Sequence, residues 1–182
     1  MIALLALLAT VDPLGADRIG VEIRRSPGKG MGAFATIAMK LGDRLGGYDG
    51  EILSRREWSA RFNGGEMRDD DQEWLESRRR RGVPVTGDYV LGFGENGSIV
   101  DAEDPECSSW TRYINHDCNP NLGLFRELDE AGRPFPGFVV IRNCIDIGDE
   151  LTFDYGPGYW DASNTHPVES AARGSSETPG RS

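Results

Sequence analysis

The chain has 182 residues, enough for one domain with a real core. Its hydrophobic fraction is 38%, with 24 Gly and 10 Pro, which excludes a helical bundle and favours short strands joined by many turns. A formal charge of −10 excludes non-specific nucleic-acid binding and favours attraction of a basic peptide. Of the 20 basic residues only Lys29 and Lys40 are lysines, a bias that reads as codon usage. Cys107, Cys118 and Cys144 fall at unrelated spacings that make neither a disulfide framework nor a zinc signature. No metal is therefore expected, and a reducing, intracellular compartment is.

The first residues, Met1 to Ala9, form an apolar run too short to span a bilayer and lacking a basic flank. They read as a terminal helix or strand on the core, or as an artefact of the start codon, rather than as a signal peptide. Residues 21–24 alternate like a strand. Residues 26–32 read as a loop, and residues 33–37 as a second strand. A turn at 40–43 leads to a strand over 44–48, which residues 50–53 continue after a break. Ser54 with Glu57 forms a capping box for a helix that carries Trp58 and Phe62 on one face. A second helix spans 69–81, acidic at its start and ending in four arginines, Arg78 to Arg81, an order that suits the helix dipole. Given the acidic neighbours, the arginines read as a solvated helix end.

A strand over 88–93, a hairpin turn over 94–97 and a return strand over 98–101 follow. The acidic stretch 102–108, with Asp101, reads as a solvated loop that guides a basic tail. Next comes Arg112-Tyr113-Ile114-Asn115-His116-Asp117-Cys118-Asn119-Pro120-Asn121, rich in turn formers and polar donors, the composition of a ligand-binding loop. Residues 122–128 and 138–142 pair across a polar loop; the second strand is apolar on both faces and hence central. A turn at 146–150 precedes a last strand over 151–156. From Asp161 on, polar and flexible residues predict a disordered tail.

Taken alone, Tyr48, Phe153 and Tyr155 would be core aromatics, His116 a turn histidine and Cys118 a small buried residue. Four separated pieces argue for more: Lys29-Gly30-Met31-Gly32; Tyr48 with Gly50-Glu51; Arg112 to Asn121; and Gly148 to Gly156, which reads GDELTFDYG. In this order they resemble the SET domain of protein lysine methyltransferases, whose patterns are G-x-G, E-Y-x-G-E, R-F-I-N-H-S-C-x-P-N and G-E-E-L-x-F-D-Y-G. The resemblance runs from about Val21 to Tyr159. The continuation to Trp160 and Asp161 looks like the subgroup that methylates histone tails.

The resemblance implies a mainly β, β-clip-like SET fold of several small sheets. A pseudoknot brings residues 115–116 beneath the Tyr155 loop. The expected organisation is an apolar segment over 1–20, the domain over 21–160 with a helical insertion over 54–87, and a tail over 161–182. The resemblance implies S-adenosyl-L-methionine as cofactor, bordered by Lys29, Gly30, Met31, Gly32, Tyr89, Arg112, Asn115 and His116. It gives Tyr155 the role of orienting methyl group and amine, Tyr48 that of lining the lysine channel, and Phe153 that of setting the number of methyls, with a lean to di- or trimethylation.

The implied partner is a protein with a basic tail, such as a histone, in the nucleus or cytoplasm, without membrane or direct nucleic-acid binding. Asp117 departs from the usual Ser, and Gly47 from the usual acid. Cysteine clusters that would hold a channel-closing zinc segment are missing, so Tyr159 and Trp160 with the tail, or a partner, would have to close the channel. A catalytically silent SET module and a Cys118–His116 hydrolase are the other readings; the latter needs a third, orienting group.

Overall fold

A computed structural model describes residues 16–93, 98–128, 132 and 134–163. The apolar start, the 94–97 hairpin turn and residues 164–182 of the expected tail lie outside them. Among the described residues the chain is mainly strands in five small sheets, with three α-helices.

After a 3-10 turn over Ala16–Ile19, β1 (Val21–Ser26) and β2 (Gly30–Ala35) form a hairpin in which Val21 faces Ala35. The predicted loop is thus only the tight turn between these strands: Gly30 to Gly32 are paired with β1, since glycines do not forbid a ladder when the partner strand is at hand. β3 (Met39–Lys40) pairs with β11 (Cys144–Ile145). β4 (Arg44–Gly47) lies beside β10 (Pro134–Val140), which is central because β9 (Leu122–Leu128) pairs on its other side. Residues 134–136, expected in the polar loop, belong to this strand. The carbonyl of Pro136 accepts the Tyr48 N–H at 2.8 Å, so the missing proline N–H faces the same side, beyond the end of β4, where no ladder bond is lost.

β5 (Glu51–Leu53) does not continue β4. It joins β7 (Ser98–Asp101) and β6 (Val90–Phe93) in another sheet, in the order β5-β7-β6. The chain crosses between the two sheets at Gly50, where an added Cβ would lie 2.4 Å from the Asp101 carbonyl oxygen. Only glycine permits that approach.

The helical insertion follows. In α1 (Arg55–Phe62) the Ser54 hydroxyl accepts the Glu57 N–H at 3.2 Å while the Glu57 carboxylate accepts the Ser54 N–H at 2.8 Å, the reciprocal cap read from the sequence. α2 (Asp69–Arg81) ends on Gly82 at φ +69°. These helices bury charge rather than an apolar stripe. Asp71 is fully buried and binds Arg56 and Arg61; the Arg56 hydrogen bond holds its carboxyl below the usual carboxylate range.

Arg78 is 1% exposed, so the expected solvated arginine end is corrected at this position. Its Nη2 lies 2.7 Å from Asp101 and 3.2 Å from Glu51, the first contact being an ion pair whose angle falls short of a hydrogen bond. The acidic loop is corrected likewise. Asp101, Glu103 and Asp104 are buried, and cations of α2 reach two of them: Arg78 meets Asp101, and Arg81 meets Asp104 at 2.7 Å.

A 3-10 turn over Trp110–Tyr113 leads into β8 (Asn115–His116). β8 pairs in parallel with β12 (Thr152–Phe153), Phe153 facing His116. Residues 161–163, expected to be disordered, close α3 (Pro157–Ser163), a helix whose aromatic pair Tyr159 and Trp160 gives it something to pack on. The main core gathers residues from both ends of the chain, among them Val21, Phe138, Ile114 and Leu151.

Removing one partner of a buried ion pair leaves the other charge uncompensated. Arg78→Ala is therefore expected to cost about 3–5 kcal/mol of stability. The exposed neighbour change Arg79→Ala should stay within about 0.5 kcal/mol. Urea unfolding midpoints check both.

Candidate functional site

The site is built where β8 and β12 meet. Asn115 Nδ2 donates to the Met31 carbonyl at 3.1 Å and to Glu150 Oε1 at 2.8 Å, which ties β8 to the start of β2. Gly32 makes room for this: a Cβ there would sit 2.5 Å from Glu150 Oε1 and 3.0 Å from Asn115 Nδ2. Gly30, at φ +82°, has nothing within 4 Å of a would-be Cβ, and Gly30 and Met31 are exposed, so this backbone is open to a ligand. Lys29 Nζ donates to the His116 carbonyl at 2.9 Å. His116, expected to border the cofactor, thus has its backbone carbonyl engaged by the lysine.

His116 is buried, and its Nδ1 accepts the Tyr155 N–H at 3.2 Å. A neutral ring must then carry its proton on Nε2, which lies 3.4 Å from Cys118 Sγ. Burial lowers the imidazole pKa, outweighing the Asp154 carboxylate at 3.6 Å. Cys118 itself is exposed, not buried as expected, because the turn that follows β8 carries it outward. The hydrolase polarity is absent: Nδ1 receives a proton donor, where an activating carboxylate would have to accept one.

Tyr155 donates its hydroxyl to the Ile114 carbonyl at 3.0 Å. Burial, with Tyr159 nearby, pushes its phenol well above the ordinary tyrosine range. Phe153 packs against Tyr155 at 4.7 Å and against Phe138 at 5.0 Å, and Phe138 meets Tyr48 edge-on at 6.1 Å. Tyr48 is buried, which raises its phenol well above the ordinary range, and it donates to the Tyr89 carbonyl at 2.9 Å. The Arg112 guanidinium lies 4.2 Å from the Tyr89 ring centroid. α3 closes the cluster: Trp160 stacks on Tyr155 at 6.1 Å and meets His116 at 4.8 Å, while Tyr159 meets Tyr155 at 4.6 Å.

The structure thus links every residue singled out from the sequence. Lys29, Met31, Asn115 and His116 join on one side, with Gly30 and Gly32 in the same strand; Tyr48, Tyr89, Arg112, Phe153 and Tyr155 join on the other. Three residues around this site were not singled out for a role. Glu150 binds Asn115, and Asn121 donates to the Glu150 carbonyl at 2.7 Å while accepting the Thr152 N–H at 2.9 Å. Glu103 holds the loop that carries Tyr89. Asn121 and Glu150 had a signal, their places in the polar turn and in the GDELTFDYG piece; Glu103 looked like a solvated charge.

The SET domain family model matches residues 30–156. The histone-lysine N-methyltransferase KMT1 of Fusarium mangiferae, described as H3 lysine-9 specific, is 28% identical over 142 residues, 77% of this chain and 40% of the relative. Dim-5 of Neurospora crassa, likewise described, is 27% identical over 142 residues, 77% of this chain and 42% of the relative. Histone-lysine N-methyltransferase Su(var)3-9 of Drosophila melanogaster is 28% identical over 138 residues, 74% of this chain and 19% of the relative. The chain spans less than half the length of these relatives. It belongs to the SET-domain family.

An NMR titration of the His116 imidazole should give a midpoint below the ordinary 6.5, because burial disfavours the charged ring. Trp160→Ala, which uncovers that ring, should raise the midpoint toward the ordinary value.

Proposed function

We propose that this domain transfers a methyl group from S-adenosyl-L-methionine to a lysine amine of a protein, with a basic histone tail as the substrate class and the nucleus as its place of action. The observation that carries the reading is the aromatic wall from Tyr48 through Phe138 and Phe153 to Tyr155, joined through His116 and Lys29 to the strand with the open Gly30–Met31 backbone. The match to the SET family and the lysine methyltransferase relatives supports it. Among the described residues no helix is long and apolar enough to cross a membrane.

The side chains suit the cofactor's chemistry. Lys29 offers a cation for its carboxylate, the Met31 carbonyl and Asn115 amide oxygen offer acceptors for its ammonium, and Tyr155, Tyr159 and Trp160 offer aromatic faces for a sulfonium and a purine. When bound, it supplies an electrophilic methyl carbon.

The chain's own residues do the rest. The −10 charge draws a basic tail toward the protein. Tyr48 and Phe153, backed by Phe138, desolvate an incoming amine, which lowers its pKa and favours the neutral, nucleophilic form. The raised phenol pKa keeps Tyr155 protonated, so it orients the amine through its hydroxyl and does not act as a resting anionic base. Orientation of this kind supplies a large part of a displacement rate. Phe153 adds no hydroxyl to crowd a methylated amine, which favours di- or trimethylation.

Incubation with labelled cofactor and core histones, followed by a peptide array, tests the reading. Label should appear on lysine; no transfer to any histone or cellular protein, with no cofactor binding by calorimetry, overturns it. Tyr155→Phe should lower kcat about 100-fold. Phe153→Tyr should shift products toward monomethyl-lysine by mass spectrometry; an unchanged product ladder would sink that assignment.

A further inference from the structure

We propose that Glu103 is a positioning residue for this reaction, acting through Tyr89 on the Tyr48 hydroxyl. The inference rests on Tyr48 lining the lysine channel, as read above.

Glu103 is 2% exposed, and burying a carboxylate is costly unless its oxygens are satisfied. Neutralising Arg78 does not explain it. Arg78 Nη1 is 4.0 Å away, whereas Arg78 Nη2 approaches Asp101 to 2.7 Å and Glu51 to 3.2 Å. The Glu103 carboxylate instead holds the loop that enters β6. It accepts the Thr86 N–H at 2.9 Å, the Thr86 hydroxyl at 2.6 Å and, at a longer 3.4 Å, the Gly87 N–H. Gly87 sits at φ +80°, a conformation that favours glycine, so the carboxylate grips the loop where it turns through a left-handed residue.

Tyr89 follows two residues later, and its carbonyl takes two donors, the Tyr48 hydroxyl at 2.9 Å and the Ala102 N–H at 3.1 Å. The Glu103 carbonyl in turn accepts Arg112 Nη2 at 3.0 Å, which sets the guanidinium against the Tyr89 ring. Tyr89 is therefore fixed at its carbonyl, its ring and its preceding loop, and each restraint leads to residues 102–103. A phenol that donates to a fixed carbonyl has its lone pairs directed away from it. If the Tyr89 carbonyl drifts, the Tyr48 hydroxyl turns with it. The effect is one of orientation, so it belongs in kcat more than in substrate affinity.

The test combines Thr86→Ala, Glu103→Gln and Tyr48→Phe with the corresponding double variants. Thr86 is exposed, so its truncation removes one arm of the clamp without opening the core. Thr86→Ala and Glu103→Gln should each lower kcat about three- to tenfold with peptide KM unchanged, the scale of one weakened hydrogen bond. In the Tyr48→Phe background each should cost less than about twofold, because the group they act through is gone. Losses that multiply in the double variants, or that fall on KM alone, overturn the proposal.

A second readout needs no turnover. With 13Cζ-labelled tyrosine, the Tyr48 resonance (the one missing in Tyr48→Phe) should shift in Thr86→Ala, and an unmoved resonance overturns the coupling. Absence of methyl transfer by the wild-type chain would overturn the function proposed above, while the resonance would still decide the role of Glu103.

Discussion

Two residues paired with two residues hold this molecule's centre. β8 and β12 form a parallel ladder of Asn115 with Thr152 and His116 with Phe153, too short to stand by its own hydrogen bonds. Its neighbours stabilise it. Asn121 reaches the backbone of both Glu150 and Thr152, the Asp117 N–H donates to the Phe153 carbonyl at 3.2 Å, and the Leu151 N–H donates to the Ala33 carbonyl at 2.8 Å. Ile114 and Leu151, each beside one strand, are fully buried. The pairing therefore closes only once β2, the polar turn and the last strand are all in place. Non-local contacts of this kind form late, after the loop-closure entropy has been met. The Tyr155 and His116 side chains flank this ladder, so the site's geometry inherits the cooperativity of the whole domain.

The insertion obeys a different rule. Polar on nearly every face, α1 and α2 cannot dock as amphipathic helices do. They dock through charge, with Arg61 and Arg78 reaching Glu51 while their guanidinia lie 4.6 Å and 4.2 Å from the Trp74 ring centroid. Trp74 Nε1 donates to the same Glu51 at 2.7 Å. Such networks add less stability than an apolar interface of equal volume, but they tolerate few alternative arrangements, since any slip strands a buried charge. That trade suits an element whose carboxylate neighbours also shape the Tyr89 loop.

Local features were legible in the sequence and distant pairings were not. The capping box of α1, the limits of α2 and the central place of β10 follow from spacing, because their causes lie within a few residues. Arg78 is a contrary case. It stands in a run of four like residues, and its inward turn depends on Asp101 and Glu51, which sit on other elements. The break between β4 and β5 was visible, but the change of sheet was not, since it depends on Gly50 meeting the Asp101 backbone. The candidate site was nameable because its residues sit in motifs. Glu103 escaped because a buried carboxylate and a solvated one look alike in a sequence, and Glu150 because its bond to Asn115 joins two distant motifs.

The electrostatics of the site follow from these pieces. Its centre carries neutral aromatic groups: two phenols pushed above their ordinary range, a phenylalanine, and an imidazole pushed below its own. The nearest cations are engaged at the edge, Lys29 with the His116 carbonyl and Arg112 with the Glu103 carbonyl. A reaction that needed a charged acid or base from the protein would be poorly served here. The proposed transfer needs a desolvated amine held in line, and a neutral aromatic wall favours that amine's uncharged form. The same burial that keeps both phenols protonated thus favours the deprotonated nucleophile, so a single physical cause prepares both sides of the reaction.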